Sequence, residues 1–122
     1  MTSQEKHVPT GRERRAHPRA TCDGSITILL DDGAHRARLR DVSRAGICFY
    51  LDRPIPEMTI LSLRMDLPAV GRGQPAHIEG RGVVVRCLPL SNRIDHYEIA
   101  LFLNEIRDTE RERLDDFVAA TA

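Results

Sequence analysis

From Ser25 to about Ile106 the chain is a succession of short runs rich in Ile, Val, Leu and Thr, broken by Gly, Pro and Asp. That rhythm predicts strands, because β-branched residues fit a pleated, half-buried surface and the punctuating residues supply turns. The first run, Ser25 to Leu30, meets Asp31-Asp32-Gly33, a tight-turn signature, and leads into His35 to Val42. Together they predict a hairpin. In its second strand Arg36, Arg38 and Arg40 alternate with Ala37 and Leu39, while Val42 falls one place out of step. One face is therefore solvated, and the missed beat predicts a bulge near Asp41.

Further strands are predicted at Gly46 to Leu51, Thr59 to Leu67, His77 to Leu88 and Tyr97 to Glu105. Pro54, Pro56, Pro68, Pro75 and Pro89 fall between them, where a missing N–H breaks no ladder. Six strands predict an all-β, antiparallel, closed or nearly closed barrel. Pro68 to Pro75 is a loop by composition, separating two strands and not two domains. After Asp108 the period changes: Leu114, Phe117 and Val118 recur at helical spacing, and Thr109 with Glu112 predicts a capping box. A helix of about a dozen residues is marginal alone, so its apolar stripe must dock on the barrel or on another subunit.

Composition narrows the class. The chain has 122 residues, suited to one domain, with 41% apolar and 30% charged residues, a globular balance. Formal net charge is zero, so bulk attraction to nucleic acid or anionic lipid is not expected. Charge is nevertheless clustered. Lys6, Arg12, Arg14, Arg15 and Arg19 make the start basic, and Glu105, Asp108, Glu110, Glu112, Asp115 and Asp116 make the end acidic. No run approaches a membrane helix and the first residues lack the apolar segment of a secretion signal, so a cytoplasmic location is expected. Cys22, Cys48 and Cys87 are widely spaced and odd in number, which predicts reduced, buried or half-buried thiols and no metal site.

Two constellations carry candidate chemistry. Arg14-Arg15-Ala16-His17-Pro18-Arg19 is a basic arm ahead of the first strand, kept extended by Pro18. Guanidinium groups stack on bases, donate in parallel to the O6 and N7 edge of guanine and meet phosphate oxygens. The second, Asp41-Val42-Ser43-Arg44-Ala45-Gly46, begins at a strand end. On an extended backbone Asp41 and Ser43 share one face while Val42 points to the other. An ionised Asp accepts from the N1–H and amino group of guanine, and Ser serves sugar or phosphate. Gly46 permits a positive φ and the approach of a flat ligand. Taken singly, the first motif is also a solvated tail and the second an ordinary strand connection. Jointly they are more telling.

The pair resembles the signature of the PilZ domain family, R-x-x-x-R ahead of the first strand followed by [D/N]-x-S-x-x-G. Arg15 and Arg19 match the first element, and Asp41, Ser43 and Gly46 match the second. The last strand, Tyr97 to Leu103, and the helix after it are also similar, so the likeness spans about Arg14 to Val118. It departs from the family at Ala100, where many members carry Gly, which is not a motif position. The resemblance implies a six-stranded barrel over residues 24–106, a ligand-binding arm at 14–22, a helix at 108–120 and a flexible tail at 1–13. It implies a receptor for the bacterial second messenger cyclic di-GMP, with Arg15 and Arg19 gripping guanine and phosphate, Asp41 and Ser43 holding a guanine from the barrel side, and Gly46 supplying clearance. Arg14, ahead of the first motif arginine, implies two mutually stacked messenger molecules.

The resulting expectation is a signalling receptor that needs no cofactor and no metal and passes its signal to a separate, unidentified protein as a monomer or weak homodimer. Two other classes compete. A ligand-independent interaction module would use the helix stripe to dock a partner. An RNA-binding barrel would need stacking aromatics, yet only 4% of residues are aromatic. Catalysis is not expected, since no nucleophile elbow, zinc-protease motif or phosphate-cradling loop occurs, Ser43 has no recognisable base, and His7, His17, His35, His77 and His96 are scattered.

Overall fold

A computed structural model describes residues 18–70, 74–90 and 96–121. Seven strands and one helix follow in order: β1 (Ala20–Thr21), β2 (Ser25–Leu30), β3 (Gly33–Val42), β4 (Gly46–Leu51), β5 (Ile60–Leu67), β6 (Ala76–Pro89), β7 (Tyr97–Ile106) and α1 (Asp108–Thr121). Six of them close the antiparallel circuit β3-β2-β5-β6-β7-β4, sealed by the β3–β4 pairing. The predicted barrel is therefore present. Closure leaves no long unpaired edge.

Alternation decides what each strand buries. Ile26 and Ile28 from β2, Ile47, Phe49 and Leu51 from β4, Leu61, Leu63 and Met65 from β5, and Ile99, Leu101 and Leu103 from β7 fill the interior. The hairpin β2–β3 turns at Asp31-Asp32, and Gly33 follows with φ of 122°, a conformation that an L side chain rarely adopts. The expected bulge lies between Leu39 and Asp41, which puts Arg40 and Asp41 together on the outer side. Pro89 is not in a connection but ends β6 opposite Tyr97, a strand end that tolerates the missing N–H. Cys22 and Cys48 are buried, Cys87 is partly buried, and all three are free thiols.

The capping box at Thr109 and Glu112 does not form. The helix begins at Asp108, and the N–H groups of Glu110 and Arg111 bond to the carbonyl of Arg107 instead. Glu110, only 2% exposed, is the reason. Its carboxylate accepts from Arg107 Nε at 3.2 Å and Nη2 at 3.1 Å, and from the Glu79 N–H of β6 at 3.2 Å. This tertiary contact sets the helix start, and the neighbouring Arg107 guanidinium holds the Glu110 carboxyl below its usual range. Leu114, Phe117 and Val118 join the barrel's hydrophobic core, so the stripe is used within the chain and is not free for a partner.

Candidate functional site

Strand β1, which the hydrophobic pattern did not predict, delivers the arm to the barrel. Ala20 pairs with Val42 and Thr21 with Asp41. Ala20 is buried, so Arg19 and Thr21 on either side of it point outward, onto the face that carries Asp41. A long side chain reaches its diagonal cross-strand neighbour. Arg19 does so: its Nε lies 2.8 Å and its Nη2 2.7 Å from Asp41 Oδ1, with the two side chains 33% and 14% exposed. Two signature elements separated by 22 residues thus meet in one ion pair. Arg14 and Arg15 lie outside the described residues, as do the 1–13 tail and the arm as far as residue 17.

Ser43 and Gly46 are placed differently from the expectation drawn from their spacing. Ser43 is 1% exposed and does not share an open face with Asp41. Its hydroxyl donates to the Gly46 carbonyl at 3.2 Å and accepts from the N–H groups of Ala45 at 3.3 Å and Gly46 at 3.1 Å, while its own N–H donates to the Gly46 carbonyl at 2.8 Å. It closes the turn between β3 and β4. Among the described residues Gly33, not Gly46, is the glycine with positive φ. A Cβ on Gly46 would stand 2.9 Å from the Leu101 carbonyl oxygen, so the missing side chain serves the close approach of β7. The motif's Ser and Gly therefore hold the platform on which Asp41 is displayed.

The platform extends beyond the motif. Asp41 pairs with Cys48, Cys48 with Ala100, and Ala100 with Arg86, an outward row crossing β3, β4, β7 and β6. Above it, Glu98 Oε2 accepts from Arg40 Nη1 at 2.8 Å and from Arg86 Nη2 at 3.3 Å, and Arg40 Nε stands 3.6 Å from Asp41 Oδ2. Cys48 is buried beneath these groups, and that burial, with Asp41 nearby, pushes its thiol pKa up. It is a floor, not a nucleophile. Ala100, a departure outside the motif, proves to lie in this row, so its methyl group is part of the same floor. Arg40, Arg86 and Glu98 escaped the motif-based reading because strand pairing alone brings them beside Asp41. Charged side chains at outward parity around Ala100 were the available signal.

Among the described residues concave depressions lie over β2, β5 and β6 around Thr27, Ser62 and Arg64, and between the Pro68–Val70 segment and α1. Among the described residues no cluster of His, Cys, Asp and Glu could hold a metal ion, and no helix is long and apolar enough to cross a membrane.

A six-stranded barrel with a helix packed on it and a charged outer row served by an N-terminal arm defines the architectural class. The chain belongs to the PilZ domain family, whose model matches residues 13–120. Curated proteins returned no match. Among solved structures it is similar to the motility inhibitor MotI/DgrA of Bacillus subtilis, at 19% identity and a TM-score of 0.74, over 92% of this chain and 55% of that one. It is also similar to K. pneumonia MrkH, solved as a c-di-GMP complex, at 17% identity and a TM-score of 0.67, over 87% of this chain and 50% of that one. The PilZ domain of Escherichia coli YcgR, solved with c-di-GMP, matches at 15% identity and a TM-score of 0.59, over 88% of this chain and 91% of that domain. The chain spans about half the length of MotI and MrkH.

Proposed function

We propose that this chain is a receptor for cyclic di-GMP, binding it on the outer face built by Arg19 and Asp41. The observation that carries the reading is the Arg19–Asp41 ion pair at 2.7 Å, which unites both signature elements at one place on the barrel. Guanidinium and carboxylate together complement the O6/N7 and N1/N2 edges of guanine, and the arginines complement the phosphates. Enclosure falls to the arm: Arg15, and Arg14 where two stacked ligands bind, close over the messenger. Ordering the arm offsets part of the contact energy and supplies the change of shape that a separate protein partner senses. The receptor needs no cofactor and performs no catalysis, and it acts in the cytoplasm as a monomer or weak homodimer.

Titration calorimetry tests this directly. Cyclic di-GMP should give saturable binding that linear guanine nucleotides do not reproduce. Arg15→Ala and Asp41→Ala should each cost about 1–3 kcal/mol, as loss of a bidentate base contact does. Absence of binding heat at micromolar concentrations would overturn the assignment.

A further inference from the structure

The outer row contains guanidinium groups that the signature does not account for. Arg19, Arg40 and Arg86 stand against Asp41 and Glu98, three positive charges to two negative, a surplus of one. Glu98, itself 16% exposed, holds both Arg40 and Arg86 through one oxygen. Arg86 is the weaker held. Its bond to Glu98 is the longer, its other contact is Cys48 Sγ at 4.0 Å, and its Nε is buried with no partner among the described residues. A guanidinium offers five donors in a planar fork, and a buried donor left unpaired is costly. Its side chain is 41% exposed, so an anion arriving on this face has access to the group.

Geometry gives the anion a source. Asp41 and Arg86 end a register row whose middle positions, Cys48 and Ala100, are small. Three strand spacings separate their backbones, roughly 14 Å along the sheet, and the Arg86 guanidinium reaches back to Cys48 Sγ at 4.0 Å, the residue paired with Asp41. A cyclic dinucleotide carries two phosphodiesters on opposite sides of its ring. For one held at Arg19 and Asp41, a guanidinium extended over this floor is a fitting donor to the second phosphate.

We propose that Arg86 is a further ligand-contact residue, donating to a phosphate oxygen of the cyclic dinucleotide across the Cys48–Ala100 floor from Asp41, with Glu98 as its positioning residue. The proposal rests on the messenger reading above and deepens it. Calorimetry with cyclic di-GMP on the full chain should show Arg86→Ala and Arg86→Gln weakening binding about ten- to hundredfold, the loss expected for a hydrogen bond to a charged group. Arg86→Lys should recover part of it, since an ammonium still meets phosphate as a point charge. Both weakened variants should also show a shallower salt dependence than the wild type, with unchanged melting temperature. Loss of binding by the wild-type chain itself would sink the messenger reading. If the wild type binds and Asp41→Ala weakens binding at least about fivefold while Arg86→Gln stays within about twofold, the receptor assignment stands and the Arg86 contact is refuted.

Discussion

Replacing Ser43 by alanine separates a turn-closing hydroxyl from a ligand-binding one. In the folded chain this buried oxygen serves the N–H groups of Ala45 and Gly46 and donates to the Gly46 carbonyl, in a part-buried turn. The substitution leaves two part-buried N–H groups without that acceptor. The bonds are long, 3.1 and 3.3 Å, so the cost is about 1–3 kcal/mol and not a multiple of it. An unfolding entropy of roughly 2.1 cal/mol/K per residue amounts to about 0.25 kcal/mol/K for this chain, and the melting temperature should fall by about 4–12 °C. Asp41→Ala is the control. It removes a partly exposed ion pair worth about 1 kcal/mol or less, so it should shift melting by at most about 4 °C while costing about 1–3 kcal/mol of ligand affinity. Differential scanning calorimetry and ligand titration on both variants make the comparison. A Ser43→Ala protein that melts with the wild type yet no longer binds cyclic di-GMP would refute the turn-closing role.

Gly46→Ala should destabilise by about 1–3 kcal/mol in denaturant unfolding, because the new Cβ meets a backbone oxygen 2.9 Å away that belongs to a paired strand. Glu110→Ala should cost about 1–3 kcal/mol in the same assay, since it strips the Glu79 N–H and the Arg107 guanidinium of their shared acceptor. Asp32 should titrate near about 2 in carbon-detected NMR, held below its ordinary 3.8 by hydrogen bonds from His35 first and Arg53 second. Its folded value is the depressed one, so its contribution to stability is present above pH 3.8 and lost as pH falls through about 2; a midpoint near 3.8 would mean these bonds do not persist in solution.

Alternation of apolar and polar residues determined most of this protein without help. The paired periods of β2 and β3, the Asp31-Asp32-Gly33 turn, the bulge before Asp41 and the helical stripe of α1 are local signals, and local backbone physics is enough to express them. The Arg19–Asp41 partnership was legible as a motif, although nothing local says that the two touch. What only tertiary structure decided is everything that depends on which strand lies beside which. Two residues are too few to show a period, so β1 had no signature, and it exists because β3 offers Val42 and Asp41 as partners. Glu110 set the helix start because the Glu79 amide and the Arg107 guanidinium converge on it. Ser43 and Gly46 became supports for the site because closing the barrel buried one hydroxyl and pressed one strand against the other. Arg86, Glu98 and Arg40 share a face only through the register of β3, β4, β7 and β6, and register depends on contacts far apart in the chain.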